Sequence, residues 1–164
     1  MKKKFETDLW IVGIVKQPIL EFIKKPNKKE IIWLYPENSY QFIADPFGIW
    51  KNNKLYLFVE FLDYRYKKGR IDCIVFDKNL KRISSHNVLK NKSHLSYPFI
   101  IKDEDKIYMI PESSKSGKTF IYESVDFPIK WKKIKEVIPN TAMIDTSVIK
   151  YENKWWIFYS LPGK

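Results

Sequence analysis

A hairpin-sized segment occurs three times in this chain with the same order of polar and apolar residues. The three copies run from Asp45 to Glu60, from Tyr97 to Glu112 and from Asp145 to Ser160, so they open at spacings of 52 and 48 residues. In each, an apolar run of about five residues, strand length, leads into a polar turn and an aromatic-rich run returns. The turns are Lys51–Lys54, Lys102–Lys106 and Glu152–Lys154. Turn residues between β-branched and aromatic runs are the signature of a β-hairpin. A period near fifty residues points to a repeated supersecondary unit.

Further strands follow each hairpin. After the first come residues 70–76 and 83–89, separated by the turn Asp77-Lys78-Asn79-Leu80; after the second come residues 119–124 and a weaker run at 134–138. Four antiparallel strands per repeat is the arithmetic of a β-propeller blade. A β-sandwich also offers regular short strands, but it does not require one hairpin to return with the same opening and closing residues. The expected fold is therefore all-β, with about two and a half four-stranded blades of a β-propeller, which closes only with about four or more of them. Residues 1–40 form an N-terminal strand and connector, 41–90 and 91–140 form blades, and 141–164 begin another. Because the third unit stops after its hairpin, the chain is expected to be a fragment of a longer protein; the alternative is that strands from elsewhere cover its edges. The best helix candidate is Gln17–Lys25, bounded by Pro18 and Pro26, with Ile19, Leu20, Phe22 and Ile23 forming an apolar face.

The chain of 164 residues is long enough for one cored domain, and 45% of its residues are hydrophobic. Its net charge of +11 suggests a polyanion partner. The cations are scattered, however, and only Arg65, Arg70 and Arg82 are arginines, so the lysine runs at 2–4, 24–29 and 130–133 read as solvated surface, and no nucleic-acid partner is expected. Cys73 has no possible internal partner and lies in an apolar run, which predicts a buried thiol. The apolar stretch Leu9–Val15 follows Glu6 and Asp8, contains Gly13 and is too short to span a bilayer, so a cytoplasmic location is expected, with neither signal peptide nor membrane span.

Hairpin geometry turns the repeat into a candidate site. The residue that opens the first strand and the one that closes the second lie at the same end, with strands roughly 4.8 Å apart. Asp45 then neighbours Glu60, Tyr97 neighbours Glu112, and Asp145 neighbours Ser160. If the first strands are innermost, these residues ring one mouth, where paired carboxylates can do acid and base work or hold sugar hydroxyls. Asp45, Asp145 and Glu112 are the catalytic candidates, and Glu60 and Tyr97 the substrate-binding ones. The bland alternative is that the aspartates only cap turns.

The strings Phe42-Ile43-Ala44-Asp45-Pro46-Phe47, Ser96-Tyr97-Pro98-Phe99 with Ile110-Pro111-Glu112-Ser113, and Asp145-Thr146-Ser147-Val148 with Trp155-Trp156-Ile157-Phe158 resemble the N-terminal propeller domain of plant glucosamine inositolphosphorylceramide transferases and its bacterial relatives at polysaccharide loci. More distantly, the chain is similar to the five-bladed arabinanases and β-xylosidases, which implies that its blades belong to a five-bladed propeller. The resemblance spans about residues 8 to 160. It implies a glycan substrate in cell-surface polysaccharide or glycolipid synthesis, a partner sugar-transferase or formyltransferase domain, and no cofactor. It also implies a general-base role for Asp45; Tyr97 stands where the glycosidases carry a second Asp, which leaves open whether the chain turns over a glycan or only binds one. The rival reading is a non-catalytic scaffold for an associated transferase.

Two further motifs read as decoys. Ser113–Thr119 imitates a phosphate-binding loop but has Glu112 where the required Gly would stand, and it runs into a strand, so a turn is expected. His86 and His94 lack partners at ligand spacing, so no zinc is expected. Trp155 and Trp156 must point to opposite faces of a strand, one into the core and the other between blades or towards the mouth.

Overall fold

A computed structural model describes residues 8–25 and 30–163. The lysines at 2–4, 28 and 29, and Pro26, lie outside the described residues. The architecture is all-β and every sheet is an antiparallel meander. Strands β3 (Gln41–Lys51), β4 (Lys54–Asp63), β5 (Lys68–Phe76) and β6 (Arg82–Leu89) form the first four-stranded sheet in sequence order. Strands β7 (Ser96–Asp103), β8 (Lys106–Glu112), β9 (Phe120–Asp126) and β10 (Lys130–Glu136) form the second, and β11 (Ile144–Tyr151) pairs with β12 (Lys154–Ser160). Ahead of these, β1 (Val12–Val15) pairs with β2 (Ile31–Leu34) around a short helix, α1 (Ile19–Lys24).

The hairpins form where the turn chemistry directs. Asn52 and Asn53 have φ of 50° and 58°, and Glu152 and Asn153 have 49° and 58°. Two consecutive left-handed residues are the type I′ pattern, whose twist suits the flanking strands. The strand expected at 134–138 lies earlier, at Lys130–Glu136, because Trp131 gives it an inward anchor among surface lysines. The phosphate-loop imitation is a turn: Ser114–Ser116 make a single 3-10 turn closed by Gly117 at φ 73°, and β9 follows.

Strand alternation splits the first sheet between two cores. One face sends Phe58, Ile71, Cys73, Val75 and Val88 against Leu95, Met109 and Tyr122, joining the first sheet to the second. The other sends Leu55, Leu57, Val59, Ile74 and Phe76 against Val12 of the N-terminal hairpin. A fully buried Phe or Ile contributes roughly 1.5–3 kcal/mol of transfer free energy, so the shared cluster holds the two sheets in fixed relation. Cys73 is fully buried within it, and burial, with the nearby Asp72 charge, pushes its thiol up to about 12. It is packing material, as its apolar context predicts.

Three expectations need correction. Helix α1 forms, but Ile19, Leu20 and Ile23 are exposed and the helix buries no residue; six residues between two short strands are too few to reach the core. Trp155 and Trp156 are 42% and 50% exposed, so neither ring is core among the described residues; β12 pairs only with β11 among them. The repeated openings also lie inside their strands rather than before them. The pairing register breaks between Ala44 and Phe47, between Ser96 and Phe99, and between Ile144 and Ser147. Each break is a bulge that holds an opening residue off the ladder.

The third bulge differs from the others in one residue. Pro46 and Pro98 follow the opening residues of the first two units, and Thr146 takes that place in the third. Thr146 is 1% exposed and its hydroxyl has no hydrogen-bond partner among the described residues. Thr146→Pro removes an orphaned buried hydroxyl and stiffens the unfolded chain, and the two sister bulges accommodate the ring. It is expected to stabilise the protein by about 1 kcal/mol, read as a rise of a few degrees in Tm; a lower Tm would show that the third bulge is not equivalent to the first two.

Candidate functional site

The bulges give the three openings one backbone state. Asp45, Tyr97 and Asp145 have φ of 49°, 43° and 50°. Left-handed geometry is tolerated by Asp and costly for a bulky side chain such as Tyr. The first strands stand side by side, with β3 packed on β7 and β7 on β11. The three strained corners are therefore neighbours, although the sequence separates them by about fifty residues.

Hydrogen bonds tie the corners across sheets. The Tyr97 N–H donates to Asp45 Oδ2 at 3.1 Å, and the Asp145 N–H donates to Glu112 Oε2 at 3.3 Å. The Tyr97 hydroxyl and Ser147 Oγ lie 3.1 Å apart, and Tyr97 packs edge-on against Phe47, with ring centroids 4.9 Å apart. Ala44 pairs with Glu60, Ser96 with Glu112 and Ile144 with Ser160, so each opening residue sits one step from the partner that hairpin geometry assigns it. All five sequence candidates are thereby joined in one region: Asp45 to Glu60 and Tyr97, Tyr97 through Ser147 to the third sheet, and Asp145 to Glu112. Asp45, Tyr97 and Glu112 are half-buried, and Asp145 is exposed.

Glu60 is the deepest acid of the group. Burial raises its pKa above the ordinary value, the hydrogen bond and charge interaction with His94 pull it back, and its carboxylate neighbour Asp45 pushes it up again. His94, weighed in the sequence only as a metal ligand, lies with Nε2 3.0 Å from Glu60 Oε1. Its Nδ1 accepts the Gly69 N–H at 3.0 Å, which places the ring proton on Nε2, facing the carboxyl. Gly69 makes room for this arrangement. A Cβ there would stand 2.5 Å from the Leu95 carbonyl oxygen, 2.8 Å from His94 Cε1 and 2.9 Å from Glu60 Oε1. The sequence signal for His94 was Gly69 itself, since a glycine inside a strand marks a close approach.

A buried carboxyl whose pKa is raised, beside a more accessible one, is the arrangement that separates an acid from a base. Among the described residues no group of three His, Cys, Asp or Glu side chains is placed to hold a metal ion, and no helix is long and apolar enough to cross a membrane.

Repeated four-stranded antiparallel sheets, with an acidic corner where their first strands meet, define the class: an all-β repeat domain with a polar site at the sheet junction. Residues 34–162 match the family model described as glucosamine inositolphosphorylceramide transferase 1, N-terminal, and the chain belongs to that family. It is 34% identical over 127 residues to glucosamine inositolphosphorylceramide transferase 1 of Oryza sativa subsp. japonica, a match covering 77% of this chain. It is 32% identical over 120 residues to the protein of the same name from Arabidopsis thaliana, a match covering 73% of this chain. In both cases the match spans only 16% of the relative's length. No solved structure matches the chain.

The folded state binds the Glu60 proton more tightly than the unfolded chain, because the folded pKa lies above the ordinary 4.5. Its stabilising contribution is full below that value and is lost as pH rises through the raised one. Glu60→Gln, neutral at every pH, should therefore melt above the parent at neutral pH, and the gap should close as pH falls towards 4.5. Thermal melts from about pH 4 to about pH 8 check this; a gap that stays constant with pH would rule out Glu60 as the titrating group.

Proposed function

We propose that this chain is a carbohydrate-active β-propeller domain, its sheets being blades of a five-bladed ring, that binds a glycan at the acidic corner during cell-surface polysaccharide or glycolipid synthesis. The observation that supports this is the threefold recurrence of a left-handed residue at the opening of each repeat, with Asp45 bonded to Tyr97, Tyr97 to Ser147 of the third unit, and Asp145 to Glu112 of the second. Strain of this kind costs roughly 1–3 kcal/mol per residue, and its repetition at one spot argues for a use there. The relatives carry the name glucosamine inositolphosphorylceramide transferase 1, which supports a glycolipid-related ligand for this chain.

In this reading Asp45 and Asp145 present carboxylates to sugar hydroxyls, and Tyr97 offers a ring edge and a hydroxyl. Glu112 holds the Asp145 backbone through its own carboxylate. If turnover occurs, Glu60 is better placed than Glu112 to carry the proton, since Glu60 is the buried acid and His94 orients it. Asp45, more accessible and adjacent, suits the base.

A second reading, a non-catalytic scaffold for a sugar-transferase domain, draws on the third hairpin. Ile149, Trp156 and Phe158 leave an apolar surface exposed on β11 and β12, and the relatives extend far beyond the matched span.

Titration with glucosamine and with micellar inositolphosphorylceramide separates the two. Asp45→Asn and Asp145→Asn should each weaken binding at least about tenfold, a loss near 1.4 kcal/mol, while Tm stays within a few degrees of the parent. If both variants bind like the parent while Trp156→Ala or Phe158→Ala disrupts association with a transferase partner, the scaffold reading replaces the glycan site.

A further inference from the structure

Helix α1 holds three aliphatic side chains in water. Ile19, Leu20 and Ile23 are 68%, 72% and 70% exposed. Single apolar residues scattered over a surface are ordinary, whereas a cluster on one element marks a surface that something covers. At about 100° per residue, Ile19, Ile23 and Leu20 fall within one arc of about 100°. Half-buried Phe22 bounds that arc on one side and exposed Lys24 on the other.

The helix is held at both ends, so the cluster is presented in a set geometry. The Pro18 carbonyl accepts the N–H groups of Glu21 and Phe22 at 3.0 and 2.9 Å, and the Lys25 N–H donates to the Glu21 carbonyl at 2.8 Å. Gln17 Nε2 donates to the Lys25 carbonyl at 3.0 Å, clasping the residues on either side of the helix. Because α1 joins β1 to β2, this clasped turn forms the tip of the N-terminal hairpin.

The charges around the tip are chiefly positive. From Lys16 to Glu30 the sequence carries five lysines against two glutamates. Lys16, Lys24 and Lys25 are exposed, and none of them forms an ion pair among the described residues. Glu21, the acid on the helix itself, lies about 150° from the middle of the apolar arc, so it faces away from whatever the arc meets. Aliphatic side chains bordered by unpaired lysines suit an anionic bilayer surface, where the apolar groups enter beneath the headgroups and the lysine stems reach back to the phosphates. The net charge of +11 adds attraction at longer range. A helix of six residues is about 9 Å long, so it lies in the interface and does not cross it. The other exposed apolar surface, on β11 and β12, suits lipid less well: the outer edge of β12 has no partner strand among the described residues, and hydrocarbon cannot satisfy its backbone groups.

We propose that the α1 tip docks this domain on an anionic membrane surface, with Ile19, Leu20 and Ile23 in the acyl boundary and Lys16, Lys24 and Lys25 among the headgroups. Flotation of the whole chain with vesicles of phosphatidylcholine alone, and of phosphatidylcholine with about one-third phosphatidylglycerol, tests it. Neither vesicle contains a glycan, so the result is independent of the acidic corner. The chain should float with the anionic vesicles and stay behind with the neutral ones. Leu20→Gln, Ile23→Gln and Lys24→Gln should each weaken binding at least about fivefold with Tm unchanged, while Phe158→Ala and Lys132→Gln bind like the parent. No flotation with anionic vesicles, equal flotation with both, or indifference to Leu20→Gln and Ile23→Gln would overturn the proposal. Loss with Phe158→Ala or Lys132→Gln instead would move the contact elsewhere and equally overturn it, as would a dimer in vesicle-free solution that Leu20→Gln dissolves. Should Leu20→Gln lower Tm, Ile19→Gln on the same arc decides.

Discussion

Everything at the acidic corner depends on a bend in the first strand of each sheet. An uninterrupted ladder would send Asp45, Tyr97 and Asp145 alternately to one face or the other and leave their N–H groups committed to the neighbouring strand. The bulge takes each residue off the ladder and turns its φ positive. That frees the Tyr97 and Asp145 N–H groups to reach carboxylates from adjoining segments. The strain is borne because the flanking residues are paired and packed, so the backbone has no cheaper path between them.

Packing between the sheets turns three separate bends into one site. Phe58 and Ile71 from the first sheet and Met109 from the second are almost wholly buried against one another. With that cluster in place β7 cannot slide along β3 without opening cavities, and the distance between the Asp45 and Tyr97 corners is set. The same cluster brings Leu95 onto Gly69, and with it His94 onto Glu60. The electrostatics of the deepest carboxyl are thus a consequence of how two apolar faces interlock. On the other face, paired arginines and aspartates replace apolar contacts towards the end of the first sheet, and this change from oily to polar lining accompanies a cleft there.

Much of the fold was legible from local chemistry. Asn52-Asn53 and Glu152-Asn153 name their turns, and the aromatic-rich run that returns from the first turn names a strand, whose burial on both faces only the structure shows. Cys73 declared its burial through its neighbours. Less legible was anything that depends on a partner distant in sequence. Among the described residues nothing buries the apolar side chains of helix α1, and the tryptophan pair lies on an edge strand; neither outcome can be read from periodicity, which reports which face is apolar but not whether another element meets it.

By itself the sequence determined the all-β class, the hairpin repeat and the five polar candidates at its corners, because period-2 patterning and turn residues act over a few residues at a time. Only the tertiary structure decided that the corners are left-handed and hydrogen-bonded across sheets, that His94 as well as Asp45 meets Glu60, and that Gln41 Oε1 has no hydrogen-bond partner among the described residues. Those features arise from contacts between segments 22 to 52 residues apart. Their geometry is set by the packing of whole sheets, which no local pattern encodes.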